Sequence, residues 1–370
     1  MLSNYTPYKN LPPLAGLCSI EDATKPGLPL DECVRRLKRF HYCFKRLHEI
    51  LTARITSEPI YELKTAFAHH AYLCAEHVTA LRQRVSEMRE PPLGLEDVPH
   101  PALAIHFDEI QNAPSTQILV GGVMLAFGNL LSGIHQYRQL THPLTDAPSR
   151  RLLKFAMSEL SEITSFYARV MEALHCDMAE ITDWGKHVLE VLLAHADWFD
   201  DQGLAELRLL PIPCRYSATP YTYDPIPQRD ERFADLWNQG VNAEAFLYDE
   251  TKPAQAKVLM MLFKRLREID VPEMMAGIIA QTPGKPWGYY RDMSRQVWDE
   301  ARHAMMGEVG FVALGVDWTK ARITWNWSYR LNTECTPLER HGVLFFIEQG
   351  LMPRTGKRYE FEVASESGIP

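Results

Sequence analysis

One helical pattern with a carboxylate on its apolar side most constrains how this chain can fold. From Tyr289 to Phe311, apolar or small residues recur every three or four positions, as on a helix face that packs against a core. This row consists of Met293, Val297, Glu300, Ala304, Gly307 and Phe311. Glu300 lies on the row, and His303 lies beside it, three positions further on. A helix of this kind must pack against other helices and must compensate a buried carboxylate.

Two explanations account for a buried carboxylate at Glu300. Residues at positions i and i+3 share a helix face, so Glu300 and His303 can bind the same metal ion. Alternatively, Glu300 pairs with a basic side chain, for which Arg302 or a residue of a neighbouring helix could serve. We favour the metal, because a carboxylate and an imidazole occur together on this face.

A second helical pattern, from Ala254 to Gln281, lies just before the first. Its predicted core-facing row consists of Leu259, Leu262, Leu266, Ile269, Ala276 and Ala280. Glu273 falls on this row. Glu268 shares a different row with Lys264 and is predicted to be solvated.

Pro272 predicts a kink or a new helix start within this second pattern. The turn at residues 282–287 is short and contains two prolines and a glycine. A short turn makes consecutive helices antiparallel neighbours. Glu273 is therefore predicted to face Glu300.

The segment from Glu273 to Glu308, with Pro-Trp-Gly-Tyr-Tyr-Arg-Asp leading into Trp-Asp-Glu-Ala-Arg-His-Ala, resembles the second metal-binding half of the ferritin-like superfamily. This resemblance implies an all-α fold: a ferritin-like helical bundle, here with extra peripheral helices and long Pro-rich connectors. It also implies two iron ions, or iron and manganese, with Glu273, Glu300 and His303 as ligands. Members of the superfamily store iron, reduce ribonucleotides or oxidise organic substrates with dioxygen.

The superfamily pattern requires a first half, with another Glu and another Glu-x-x-His, and here the chain departs from it. The helical pattern from Ile60 to about Met88 carries Glu62, His69, His70, Glu76 and His77. We predict Glu76 as a ligand. Histidines on an apolar row are more often hydrogen-bonded core residues than ligands.

The pattern from about Ser149 to His175 supplies Glu159 and Glu162, so a glutamate stands where the superfamily would have a histidine. Glu159 lies on the predicted apolar row of Leu152, Phe155, Ile163, Phe166 and Val170. Carboxylate ligands suit iron and manganese. A true Glu-x-x-His, Glu172 with His175, lies off the row near the helix end and is predicted to be on the surface. The complete predicted ligand set is Glu76, Glu159, Glu162, Glu273, Glu300 and His303.

Composition excludes several other classes of protein. The 370 residues are 46% hydrophobic and 10% aromatic, which is enough for a sizeable core. The net charge of −8 comes without a clustered basic patch, which argues against nucleic-acid binding. Seven irregularly spaced cysteines with no Cys-x-x-Cys argue against a disulfide framework or a zinc ribbon. The apolar stretch Ile118–Leu131 is predicted to be too short to span a membrane, and we expect a cytoplasmic protein.

The helical patterns suggest three consecutive segments. Helices are predicted at 31–53, 58–90, 117–139, 149–176, 183–200, 230–249, 254–281, 288–314 and 337–350. An N-terminal arm with a peripheral helix (1–57) would precede the metal-binding bundle (58–314) and a C-terminal helix with a tail (315–370). The alternation at Thr355–Val363 could form a short strand, but a surface tail is favoured. The Pro-rich connector at 209–229 could be a crossover, a lid or an internal boundary.

These observations favour a dinuclear-metal oxidase or oxygenase that acts on a small organic substrate with dioxygen, with a homodimer as one possible assembly. The alternative is a ferritin-like scaffold or binding protein with few or no metal ions and no catalysis, because the first-half ligands depart from the pattern. Iron storage fits less well, since long connectors and an N-terminal arm would have to fit a shell.

Overall fold

The structure, a computed structural model, describes residues 5–88, 94–193, 214–233, 236–238, 242–351 and 354–369. These residues form helices joined by loops and turns, and no β-strand occurs among them. The predicted all-α class is therefore confirmed. The chain divides into two compact units: Met1–Leu47 with Leu73–Tyr221 (unit 1), and His48–Tyr72 with Thr222–Pro370 (unit 2).

The two units differ from the three consecutive segments predicted at 1–57, 58–314 and 315–370. The long helices α2 (Leu30–Ser57) and α3 (Tyr61–Glu87) each contribute residues to both units, so neither unit is one continuous segment. The third change of unit, after Tyr221, falls within the Pro-rich connector, for which an internal boundary was one of the three predicted roles. Residues 209–213 of that connector lie outside the described part of the chain.

Unit 1 is built around the apolar helix α5. Its helices, besides parts of α2 and α3, are α1 (Ile20–Ala23), α4 (Pro101–Gln111), α5 (Thr116–Leu140), α6 (Ala147–Ala173) and α7 (Met178–Leu193). A β-carbon at Gly121 would lie 2.8 Å from Ile181 of α7, and one at Gly122 would lie within 3.0 Å of Trp184. The two glycines therefore permit close packing of α5 against α7.

The helix α5 is long and apolar enough to cross a membrane by length and composition alone. It has 25 residues, more than the apolar stretch that the sequence marked as too short. Of its most apolar window, 61% is buried in the structure, as expected for a core helix. A single helix of this kind is weak support for a membrane span.

Unit 2 contains the second predicted metal-binding half. Its helices, besides parts of α2 and α3, are α8 (Ala243–Leu247), α9 (Ala254–Arg267), α10 (Asp270–Ala280), α11 (Trp287–Ala313), α12 (Asn326–Glu334), α13 (Pro337–Phe346) and α14 (Arg354–Ser367). The pattern predicted as one helix at 254–281 is two helices, with the break just before Pro272, which confirms the effect expected of that proline.

Three predicted elements differ from the structure. The segment Thr355–Val363, predicted as a surface tail, belongs to α14, and Tyr359 of this helix accepts a hydrogen bond from Lys257 of α9 at 2.6 Å. Of the helix predicted at 230–249, the described residues are helical only at Ala243–Leu247. The helix predicted at 183–200 begins earlier, at Met178, and residues 194–200 lie outside the described chain.

Candidate metal centre

The side chains of Glu300 and His303 meet on α11, as their spacing predicts. The Nδ1 atom of His303 lies 3.3 Å from the Oε2 atom of Glu300. Glu300 is buried, whereas the imidazole of His303 is 34% exposed. The pair therefore lies at the edge of the unit 2 core, where small ions can reach it.

Glu268 is the third member of this group. It follows the last residue of α9, and its Oε2 atom lies 3.2 Å from the Nδ1 atom of His303. One possible ligand atom from each of Glu268, Glu300 and His303 lies within 4.8 Å of the others, and we call these residues the Glu–Glu–His cluster. The expectation that Glu268 is solvated is wrong, because its side chain is only 20% exposed.

Two glycines of α11 let this helix approach α9 closely enough to form the cluster. A β-carbon at Gly307 would lie 2.7 Å from the carbonyl oxygen of Leu262 and still closer to the amide nitrogen of Leu266. Gly310 lies against the side chain of Leu262. Gly310 contacts Leu262, whereas Gly307, which is nearer the start of α11, also contacts Leu266, which is nearer the end of α9. The two helices are therefore antiparallel. This arrangement carries the end of α9, with Glu268, to the middle of α11.

Charges within and beside the cluster hold its side chains together. The Nη1 atom of Arg265 donates to both carboxylate oxygens of Glu268, at 3.0 and 2.9 Å. Burial alone would raise the pKa of Glu268, but hydrogen bonding to His303 and the charge of Arg265 outweigh it and lower that pKa. Hydrogen bonds to Glu268 and Glu300 raise the pKa of His303 to about 9. The imidazole is therefore protonated at neutral pH and attracts both carboxylates.

The cluster offers two carboxylates and one imidazole, a donor set suited to iron, manganese or zinc. Ligand atoms about 2.1 Å from one shared ion are at most about 4.2 Å apart, close to the separations within the cluster. A metal ion binds the neutral imidazole, so its binding would release the proton of His303. By donor chemistry and spacing, these residues fit one divalent ion.

Glu273 lies in a different group of side chains from the predicted one. Its Oε1 atom lies 2.9 Å from Lys64 Nζ, and its Oε2 atom lies 2.9 Å from Arg229 Nη2. Ser328 also donates a hydrogen bond to Oε2 at 2.9 Å. Together with Asp270, which pairs with Arg229 at 2.5 Å, these residues form what we call the buried ionic network. Both oxygens of Glu273 are thus engaged by cations.

The helix break explains why Glu273 does not reach the Glu–Glu–His cluster. α9 ends at Arg267 and α10 begins at Asp270. Residues before and after this break therefore do not share one helix face, although a single continuous helix would place them on one. The prediction that Glu273 rather than Glu268 faces Glu300 is therefore wrong. Glu268, at the break itself, occupies the predicted place.

The remaining predicted ligands belong to unit 1. The Oε2 atom of Glu159 lies 2.6 Å from Nε2 of the buried His77. Glu162 is exposed on α6, and Glu76 is half-buried on α3. Glu159 therefore has an imidazole partner within unit 1. Whether Glu76, Glu159 and Glu162 bind metal stays a prediction.

The apolar row of α6 lies one position away from the predicted row. The residues that the helix buries are Ser149, Leu153, Ala156, Leu160, Ile163, Tyr167 and Met171. Phe155, which was assigned to the core, is 57% exposed. Small residues such as Ala156 allow close helix packing, so they occupy the buried face where large apolar residues were expected. Glu159 is 38% exposed as a result, and the cost of leaving it without a metal ion is small.

The other candidates on α3 have structural partners. Glu62 accepts two hydrogen bonds from Arg232, at 2.7 and 2.6 Å. His69 stacks on Trp298, with ring centroids 4.3 Å apart. Burial lowers the pKa of His70 to about 3, so this histidine is neutral at physiological pH. These contacts agree with the interpretation of the histidines as core residues.

Sequence reasoning missed three residues that organise the sites of unit 2, namely Arg265, Lys64 and Arg229, and it misassigned Glu268 as solvated. Arg265 and Glu268 stand three apart, the spacing of a helical ion pair, and this signal was available. Lys64 and Arg229 reach Glu273 from positions 209 and 44 residues away in the chain, and no local pattern predicts that contact.

No family model, no curated protein and no solved structure matches this chain. The assignment of function therefore depends on the geometry of the site.

Proposed function

We propose that this chain binds a divalent transition-metal ion through Glu268, Glu300 and His303, and that it is a ferritin-like carboxylate metalloprotein acting as an oxidase or oxygenase. The observation that carries the proposal is the convergence of a glutamate from one helix end with the Glu-x-x-His of the antiparallel neighbour. This is the ligand arrangement of half a dinuclear carboxylate centre, with Glu268 in the place predicted for Glu273.

The residues around the cluster support this role. Glu300 is buried, so its carboxylate is better satisfied by a metal ion than by water. His303 and Glu268 are partly exposed, which leaves a route for an ion and a small substrate. An iron ion held there would supply dioxygen chemistry, while the protein supplies its ligands and position.

Metal content and stoichiometry test the first step of the proposal. Purified protein is stripped with a chelator and titrated with Mn²⁺, which is followed by electron paramagnetic resonance and calorimetry. We expect at least one ion per chain. Two ions per chain would show a second metal site besides the cluster, whereas no binding would contradict the proposal.

The chain provides a matched control for this experiment, because a second Glu-x-x-His lies at the exposed end of α6, with Glu172 in its last turn and His175 two residues beyond its last residue. We expect E300Q/H303Q to abolish Mn²⁺ binding at the cluster, and E172Q/H175Q to retain it. Equal effects of the two double variants would contradict specific binding. The oxidase step is tested by the rate of dioxygen consumption after addition of Fe²⁺, which should fall in E300Q/H303Q and stay unchanged in the control.

The second candidate function is a ferritin-like scaffold without catalysis. The observation that favours it is the ion pairing of Glu273 with Lys64 and Arg229, since a carboxylate that neutralises two buried cations is committed to the fold. A protein that neither binds Mn²⁺ nor consumes dioxygen with Fe²⁺ would be better described in this way.

A further inference from the structure

Arg265 and His303 approach the same oxygen atom of Glu268. The Nη1 atom of Arg265 lies 2.9 Å from Oε2 of Glu268, and Nδ1 of His303 lies 3.2 Å from that oxygen. Oε2 is therefore the oxygen of Glu268 that faces the cluster. A metal ion bound there would meet an oxygen that already accepts a hydrogen bond from a cation.

Arginine differs from histidine in how it can make room for a metal ion. His303 can lose its proton and become a ligand, but a guanidinium stays charged in proteins. Arg265 and a divalent ion would thus be like charges competing for one carboxylate. When the ion binds, either the Arg265–Glu268 pair is weakened or the guanidinium repels the bound ion.

We infer that Arg265 is an internal counter-ion of the Glu–Glu–His cluster, which competes with the metal ion for Glu268 and thereby lowers metal affinity. The inference rests on the proposed metal-binding function. In the metal-free protein, the guanidinium stabilises Glu268 beside Glu300 and keeps the ligands together. In the metal-bound protein, the guanidinium repels the ion and weakens its binding, so the ion can exchange with solvent.

The surroundings of Arg265 allow its side chain to move away from Glu268. The side chain is 33% exposed, and its long aliphatic stem can rotate towards solvent. Burial lowers the pKa of Arg265, but the charges of Glu268 and then Glu360 outweigh burial and raise it. Glu360 of α14, which also pairs with Lys264 at 3.4 Å, is thus a second carboxylate that attracts the guanidinium. If a metal ion displaces Arg265 from Glu268, Glu360 remains as an acidic neighbour of the arginine.

Calorimetric titration of the metal-free protein with Mn²⁺ tests the inference. We expect R265Q to bind Mn²⁺ about tenfold more tightly than the natural protein, because the charge-assisted hydrogen bonds from Arg265 to Glu268 no longer have to be displaced. The matched control is R302Q on α11, because Arg302 is exposed and pairs with Asp299, which is outside the cluster. Its affinity should stay within about twofold of the natural value.

R265K separates charge from packing. It retains the positive charge and should bind Mn²⁺ with close to natural affinity. Unchanged or weaker binding by R265Q, with binding by the natural protein intact, would overturn the inference and would make Arg265 a residue that positions Glu268. Failure of the natural protein and all three variants to bind Mn²⁺ would instead reject the proposed function itself.

Discussion

The Nζ atom of Lys64 lies 2.9 Å from the Oε1 atom of Glu273, and both side chains are almost completely buried. Lys64 also donates hydrogen bonds to the carbonyl oxygens of Ile55, at 2.9 Å, and Thr56, at 3.2 Å. These contacts join the end of α2, the start of α3 and the start of α10 within unit 2. Arg229 completes the arrangement from the connector by pairing with Glu273 and also with Asp270. A carboxylate with these partners supports the fold.

The first prediction is that E273Q destabilises unit 2. The substitution leaves Lys64 and Arg229 buried with less negative charge to compensate them, which should lower the free energy of unfolding by about 3–5 kcal/mol. Urea denaturation measures the loss. The exposed E162Q variant should change stability by less than about 0.5 kcal/mol. A similar stability of E273Q and E162Q would show that the network does not hold the fold.

The second prediction separates Glu268 from Glu273 by metal affinity. E268Q removes a charged ligand and should weaken Mn²⁺ binding at least about tenfold, because a hydrogen bond or ligand bond to a charged group is worth well over 1 kcal/mol. E273Q should bind with near-natural affinity under conditions in which it is folded, as judged by circular dichroism. Weaker binding in E273Q than in E268Q would restore the assignment made from the sequence and refute the one made from the structure.

The third prediction concerns the close approach of α9 and α11. G307A places a methyl group against the backbone of Leu262 and Leu266, and the helices must separate to accommodate it. We expect a loss of about 1–3 kcal/mol in stability, together with weaker Mn²⁺ binding. G288A on the same helix meets no atom within 4 Å and should be neutral or slightly stabilising. Equal stability and equal Mn²⁺ affinity of G307A and G288A would show that neither the fold nor the cluster needs the close helix approach at Gly307.

Long amphipathic helices were predictable from the sequence, because periodicity over many residues determines them. The pattern at 117–139 became Thr116–Leu140, and that at 288–314 became Trp287–Ala313. Shorter helices were missed. Pro101–Gln111 begins with a proline after a Pro-rich stretch, and Asn326–Glu334 has only nine residues, too few for a clear period.

The candidate site was predictable only where it lies within one helix. Glu300 and His303 share α11, so their spacing alone brings them together. Glu268 lies at a helix break, where helical periodicity no longer predicts which way a side chain points. The contacts of Glu273 depend on Lys64 and Arg229, which are distant in the chain, and tertiary packing alone brings them together.

The last prediction concerns Glu109, whose carboxylate ties the connector to unit 1. Its Oε1 atom accepts hydrogen bonds from the backbone N–H groups of Arg215, Tyr216 and Ser217, at 2.8, 3.0 and 2.8 Å. The hydroxyl of Ser217 donates to the same oxygen at 2.7 Å. Burial would raise the pKa of Glu109, but these hydrogen bonds to the charged form outweigh burial and lower it.

A pKa that is lower in the folded than in the unfolded chain fixes the sign of the pH dependence. The stabilisation by Glu109 is fully present above the unfolded pKa of about 4.5 and is lost as the pH falls through the folded value. The E109Q variant offers an amide that carries hydrogen atoms of its own to the same donors, and it should be less stable by about 2 kcal/mol near neutral pH. Urea denaturation from pH 7 to pH 3.5 should show this difference constant above about pH 5.5 and shrinking below about pH 4.5. The exposed E172Q variant should show no such trend, and a difference for E109Q that grows as the pH falls would reject the assigned role of the carboxylate.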